Sequence, residues 1–109
     1  MDIEALLRAL GEPARLKILN LLLSRPYCVR ALSRTLGVTE PAVSQHLKVM
    51  REAGLVSGER YGRHVHYAPR AEALDALVAA FEEMRIKARE RDNDRGECRC
   101  EFRKKGADK

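Results

Sequence analysis

Residues 32 to 56 read Leu-Ser-Arg-Thr-Leu-Gly-Val-Thr-Glu-Pro-Ala-Val-Ser-Gln-His-Leu-Lys-Val-Met-Arg-Glu-Ala-Gly-Leu-Val. Leu32 and Leu36 close one helical stripe, and Gly37 stands where a helix commonly ends on a left-handed residue. Thr39 is a good N-cap for the next helix, Glu40 and Pro41 suit its first turn, and Val43, Leu47 and Met50 recur at inward-facing spacing. After Gly54 the pattern changes to a strand from Leu55-Val56. Tyr61-Gly62-Arg63 supplies a turn, and Val65 and Tyr67 alternate with His64 and His66 on the return strand. This order predicts a winged helix-turn-helix, a mainly α fold with a small β-hairpin, whose expected ligand is DNA.

Working outward, Ile3, Leu6, Leu7 and Leu10 predict a short amphipathic helix ending at Gly11, and Pro13 opens a second helix carrying Leu16, Ile18, Leu19, Leu22 and Leu23. A third helix is predicted from about Val29 to Leu36, burying Val29, Leu32 and Leu36. Beyond Pro69 a last helix, roughly Ala71 to Arg89, carries Leu74, Leu77, Val78, Phe81 and Met84 in one apolar stripe. That stripe has no evident home in so small a monomer. Its simplest burial is against the last or first helix of a second copy, a two-fold homodimer joined through its terminal helices. The predicted organisation is a DNA-binding and dimerisation domain over residues 1–90 and a mobile, charged tail over residues 91–109 containing Cys98-Arg99-Cys100.

A chain of 109 residues with 45% apolar content supports one core and no second catalytic domain. Only 5% of residues are aromatic, so the core must be Leu, Val, Ile and Ala. The net charge of +5 is a modest bias suited to phosphate contact. With neither a signal-like N-terminus nor an apolar run of about 18 residues, the expectation is a cytoplasmic protein with no membrane contact. Three cysteines, an odd number, make a disulfide framework an unlikely design in that compartment and favour thiolate chemistry. No phosphate-binding glycine loop, paired catalytic carboxylates or supported nucleophile is present, so the chain is not expected to be an enzyme, and no cofactor is required.

A reading helix carries short polar side chains near its N-terminus, where base edges are closest. Thr39, Ser44, Gln45 and His46 supply them, with Gln45 suited to bidentate contact with adenine and Lys48 to the phosphate backbone. Arg60, Arg63 and His64 of the wing are placed to follow neighbouring phosphates or enter the minor groove. Two readings of His46 stand together: a DNA contact, or a hydrogen-bonded histidine of the helix packing. His64 and His66 share a strand face but lack further ligands, which favours surface or DNA contact over metal.

From Pro13 to Tyr67 the chain resembles the ArsR/SmtB family of metal- and metalloid-responsive winged-helix repressors. The residues that carry the resemblance are Glu-Pro-Ala-Arg-Leu-Lys-Ile-Leu from Glu12, Val-Ser-Gln-His-Leu-Lys from Val43, Ala-Gly-Leu-Val from Ala53, and Arg60-Tyr-Gly-Arg with Tyr67. The resemblance implies a homodimeric repressor that occupies a double-stranded operator with two-fold related half-sites and releases it when an inducer binds. Some arsenic and cadmium sensors of the family carry Cys-Val-Cys-Asp at the start of the third helix; here the aligned residues are Cys28-Val29-Arg30-Ala31. Zinc sensors use histidines on the last helix, which here contains none.

Three thiolates around one centre suit arsenite or antimonite, and Cys28, Cys98 and Cys100 number three. From Arg89 to Cys98 an extended chain spans up to roughly 30 Å, which brings the tail within reach of Cys28 of its own or a partner subunit. Alternatives stand beside this one. Cadmium, lead or zinc would use the same thiols, oxidation or persulfidation would replace the ion in a redox sensor, and Cys28 would be a small buried apolar side chain. A non-DNA interaction module, with the last helix as its docking stripe, is the reading from a different class.

Overall fold

The computed structural model describes residues 1–94, 96 and 98–100, with no side-chain description for 92–94. The chain opens with α1 (Ile3–Leu10), whose N-cap Asp2 accepts the Ala5 N–H at 3.2 Å. Gly11 and Glu12 lead into α2 (Pro13–Leu22), where proline occupies a first-turn position that needs no N–H donor. α3 (Val29–Leu36) ends on Gly37 at φ 71°, ψ 32°, and both Gly37 and Val38 donate their N–H groups to the Ser33 carbonyl, at 2.9 and 3.2 Å. Thr39 then caps α4 (Glu40–Glu52), its Oγ1 accepting the Ala42 N–H at 3.3 Å. The boundaries of α3 and α4 thus fall where the sequence places them, because each is set by a cap satisfied within a few residues.

β1 (Val56–Tyr61) and β2 (His64–Pro69) form an antiparallel hairpin, in register from Val56 opposite Pro69 to Tyr61 opposite His64, closed by Gly62 at φ 62°. Two bonds fix the hairpin to the body: Tyr67 donates its N–H to the Tyr27 carbonyl and Arg70 donates to Leu55, both at 2.9 Å. Gly58 lies opposite Tyr67, and a Cβ there would stand 2.9 Å from Val65 Cγ1 and 3.0 Å from Tyr67 Cε2. Glycine therefore makes the room in which the Tyr67 ring is buried.

Leu6, Ile18, Leu32, Val43, Leu47, Met50, Leu55 and Val56 are fully buried and join α1 to α4 and the base of the wing in one aliphatic core. Val29 and Leu36 are only half-buried, since short α3 lies on the surface and presents Leu32 alone to the centre. The last element, α5 (Ala71–Asp94), runs five residues past the predicted end. Its apolar stripe divides. Ala73 and Leu77 are buried and Leu74 packs on the core, with α5 against α1 of the same chain, so the first two turns do have a home in the monomer. Val78, Phe81 and Met84 beyond them stay 67%, 51% and 54% exposed. The expected tail falls largely on residues outside those described, Phe102 among them.

Candidate nucleic-acid interface and thiol sites

Val43, Leu47 and Met50 anchor one side of α4 in the core, which leaves Ser44, Gln45 and Lys48 exposed on the other. This follows from helical periodicity: residues one and two positions from a buried anchor are rotated by about 100° and 200° and cannot share its face. The predicted residues separate by role. Ser44 and Gln45 present free polar ends. Thr39 has its hydroxyl engaged as the cap of α4, and Lys48 pairs with Glu52 one turn on at 3.2 Å, so part of its charge is already answered on the same helix. The spacing of Lys48 and Glu52, i and i+4, was visible in the sequence.

His46 is half-buried, and its Nδ1 lies 3.3 Å from Arg15 Nη1 of α2, a partner 31 positions away. Arg60 on β1, Arg63 in the turn and His64 at the start of β2 are all exposed. Arg30 and Arg34, one turn apart on α3, are exposed as well, a pair that sequence reasoning left aside. Among the described residues none of Arg30, Arg34, Arg60 and Arg63 has a carboxylate within ion-pair distance. Exposed guanidinium groups without an ion-pair partner are suited to phosphate oxygens, which they bind bidentately. The His66 ring packs against that of Tyr61, tilted by 58° with the centroids 4.9 Å apart.

The thiols occupy two places. Cys28 is the N-cap residue of α3, half-buried, with no side-chain cap bond. Cys98 and Cys100 are exposed, and Cys98 Sγ accepts the Cys100 N–H at 3.3 Å. The Cys98 thiol is held below its ordinary value, first by its hydrogen bond with the Cys100 side chain and then by that backbone N–H. Among the described residues no group of three or more Cys, His, Asp or Glu side chains is gathered to hold one metal ion. One chain therefore does not bring Cys28 to Cys98 and Cys100. Because α5 continues to Asp94, the extended link to Cys98 is four residues, about 13 Å, and shorter than the roughly 30 Å read from a helix ending at Arg89. No described helix is long and apolar enough to cross a membrane.

The sequence profile described as "Bacterial regulatory protein, arsR family" matches residues 12–57, the stretch from the start of α2 to the first residues of β1. The E. coli HTH-type transcriptional regulator YgaV (strain K12) is 37% identical over 78 residues, covering 71% of this chain and 79% of that one. This chain belongs to the ArsR/SmtB family. The HTH-type transcriptional repressor SmtB of Mycobacterium tuberculosis is 50% identical over 62 residues, 57% of this chain and 46% of that protein, so the match spans about half of that relative's length. A crystal structure titled as a possible transcriptional regulator for arsenical resistance superposes with a TM-score of 0.66 at 34% identity, covering 73% of this chain and 82% of that one. The ArsR/SmtB chain is accordingly a winged helix-turn-helix, and its relatives are transcriptional regulators, not enzymes.

Proposed function

We propose that this chain is a homodimeric repressor that occupies operator DNA and releases it when arsenite or antimonite binds cysteine thiolates. The observation that carries the DNA reading is the exposed Ser44-Gln45 face of α4, together with exposed Arg30 and Arg34 on α3 and Arg60 and Arg63 on the wing, which have no ion-pair partner among the described residues. Ser44, Gln45 and His46 read bases, Thr39 sets the start of the helix, and Lys48, Arg60, Arg63 and His64 follow phosphates. The exposed stretch Val78, Phe81 and Met84 of α5 meets its counterpart in a second copy, which places two reading helices on two-fold related half-sites.

Cys98 and Cys100 supply two sulfurs two residues apart, and Cys28 supplies the third. Three-sulfur ligation matches the pyramidal preference of trivalent arsenic and antimony. The relative named for arsenical resistance supports this choice of ion. Gathering all three thiols requires either the last turns of α5 to unwind or the partner subunit to provide the Cys28 position. Cys28 caps α3, which packs on α4, so a ligand pulling on that residue acts on the orientation of the reading helix. Derepression requires the ion to bind the DNA-free arrangement more tightly, since equal affinity for both states shifts nothing.

Fluorescence anisotropy on the DNA upstream of its own gene, titrated with arsenite under reducing conditions, tests the proposal. Arsenite should release the wild-type protein, and the Cys28→Ser, Cys98→Ser and Cys100→Ser variants should resist. The hydrogen-bonded proximity of Cys98 and Cys100 also favours a second reading, in which an oxidant or persulfide joins the two sulfurs and releases the DNA. Release by an oxidant or by cadmium, lead or zinc with no response to arsenite would select it or the divalent-ion version over the first.

A further inference from the structure

The guanidinium of Arg15 ties three elements together. Arg15 stands in the first turn of α2, half-buried. Its Nε donates to the Ala9 carbonyl at 2.5 Å and its Nη2 reaches the Arg8 carbonyl at 3.5 Å. Both carbonyls belong to the last turn of α1, where a cation complements the helix dipole, and the Arg8 oxygen also accepts the Gly11 N–H at 3.2 Å. The third direction of the fork is occupied by His46 of α4, whose Nδ1 lies 3.3 Å from Nη1.

Donor and acceptor roles in that last contact are not free to exchange. A guanidinium carries donors only and keeps its proton, so His46 Nδ1 must accept. An imidazole that accepts at Nδ1 is the neutral ring with its proton on Nε2, and a doubly protonated ring would set two donors and two positive charges against each other. Among the described residues Nε2 has no hydrogen-bond partner. His46 directly follows Ser44 and Gln45 on the helix proposed to read DNA.

We propose that Arg15 is a positioning residue for DNA recognition: it holds His46 as the Nε2–H tautomer and so presents that N–H as a one-way donor to a hydrogen-bond acceptor on DNA. The inference rests on the DNA-binding reading of α4. A guanine N7 and a phosphate oxygen offer the same acceptor chemistry, and the test separates them. Arg15 would act on recognition without touching DNA.

Three variants serve the test. Arg15→Met keeps the aliphatic stem, Arg15→Lys keeps a cation for the α1 carbonyls without the fork, and His46→Gln keeps an N–H donor near the Nε2 position without an acceptor at Nδ1. Ring nitrogen shifts of His46 in the free protein at neutral pH, assigned by difference against His46→Gln, should show Nε2 protonated and Nδ1 bare, with the Nδ1–H form gaining population in Arg15→Met. A wild-type ring protonated at Nδ1 overturns the link. On a fluorescent duplex of its own upstream DNA, Arg15→Met should weaken binding about fivefold to tenfold, the size of one lost hydrogen bond. The same change in the His46→Gln background should cost less than about twofold, since no ring remains to be held. Equal losses in the two backgrounds would show that Arg15 acts through α1 alone and would refute the proposal. Arg15→Lys should recover thermal stability but not DNA affinity; recovery of both would also refute it.

Scanning the duplex with 7-deazaguanine and with methylphosphonates identifies the acceptor. One substitution should weaken the wild-type protein about fivefold and leave His46→Ala unaffected, a deazaguanine if a base is read and a methylphosphonate if a phosphate is held. If neither scan contains such a position, His46 donates to neither a guanine N7 nor a phosphate oxygen, and the proposal falls. Failure of the wild-type protein to bind the duplex at low salt would instead remove the DNA-binding reading itself, while the ring nitrogen signature, measured without DNA, still decides the Arg15–His46 contact.

Discussion

Replacing Gly37 should destabilise the protein in an order that backbone conformation alone sets. Gly37 joins α3 to the proposed reading helix at φ 71°, ψ 32°, and a Cβ added there meets nothing within 4 Å. Packing therefore contributes no penalty, and the cost of Gly37→Ala is that of a left-handed L-residue, about 1–2 kcal/mol. Alanine also restricts the unfolded chain, which offsets about 0.4–1 kcal/mol of that. The net loss at the midpoints of those ranges is about 0.8 kcal/mol, or a fall in Tm of about 3–6 °C for a domain of this size. Gly37→Asn should lose less, because asparagine tolerates the left-handed region, and Gly37→Val should lose more, because a β-branched residue there is a true outlier. Gly11 is the control: it has φ −72°, and its Cβ would sit at ordinary contact distance, 3.5 Å from the Leu7 and Arg8 carbonyls. Gly11→Ala should accordingly gain about 0.4–1 kcal/mol. Urea denaturation at one fixed protein concentration, which holds any association constant, measures all four. A Gly37→Ala protein as stable as wild type, or equal losses for asparagine, alanine and valine, would refute the assignment of the turn.

Leu47→Ala should cost about 2–5 kcal/mol by chemical denaturation, since Leu47 is only 1% exposed and its removal leaves a cavity under α4. Phe81→Glu, at a half-exposed site on the free stretch of α5, should leave the fold intact by circular dichroism and convert a dimer to a monomer in sedimentation velocity; a dimer unaffected by it would place the interface elsewhere. Glu72 has its carboxyl held below its ordinary value, first by its own backbone N–H and then by Arg70, so folding favours its charged form. That contribution is present above the unfolded carboxylate value and is lost as pH falls through the depressed folded value, so Glu72→Gln should be less stable than wild type at neutral pH and converge on it in acid. Cys98 should be alkylated by iodoacetamide already below the usual thiol range, as read by peptide mass mapping, because its thiolate is favoured; a site that reacts only at the ordinary thiol range would refute this.

The order and ends of the elements around α4 are written in local residues. Gly37 and Thr39 are satisfied by groups within a few residues, Gly62 closes its turn at φ 62°, and the Val43, Leu47, Met50 spacing fixes which side of α4 is buried whatever packs against it. The exposed polar residues Ser44 and Gln45 were legible for the same reason. Charge balance was legible only in part: the Lys48–Glu52 pair is local, whereas the lack of a partner for Arg60 and Arg63 among the described residues depends on where distant carboxylates end up.

Three further features depend on long-range packing. The tertiary structure divided the α5 stripe, covering Leu77 with α1 and leaving Phe81 bare, although the two carry the same helical signal. It showed that one chain does not gather its three thiols, which composition and reach alone had allowed. It brought Arg15 from α2 to the carbonyls of Arg8 and Ala9 and to His46, a convergence across separations of 6, 7 and 31 positions. Caps and periodicity act over one or two turns and leave a mark in the local order of residues. Burial of a stripe, gathering of thiols and placement of an arginine fork depend on how distant segments pack, and no local pattern encodes that.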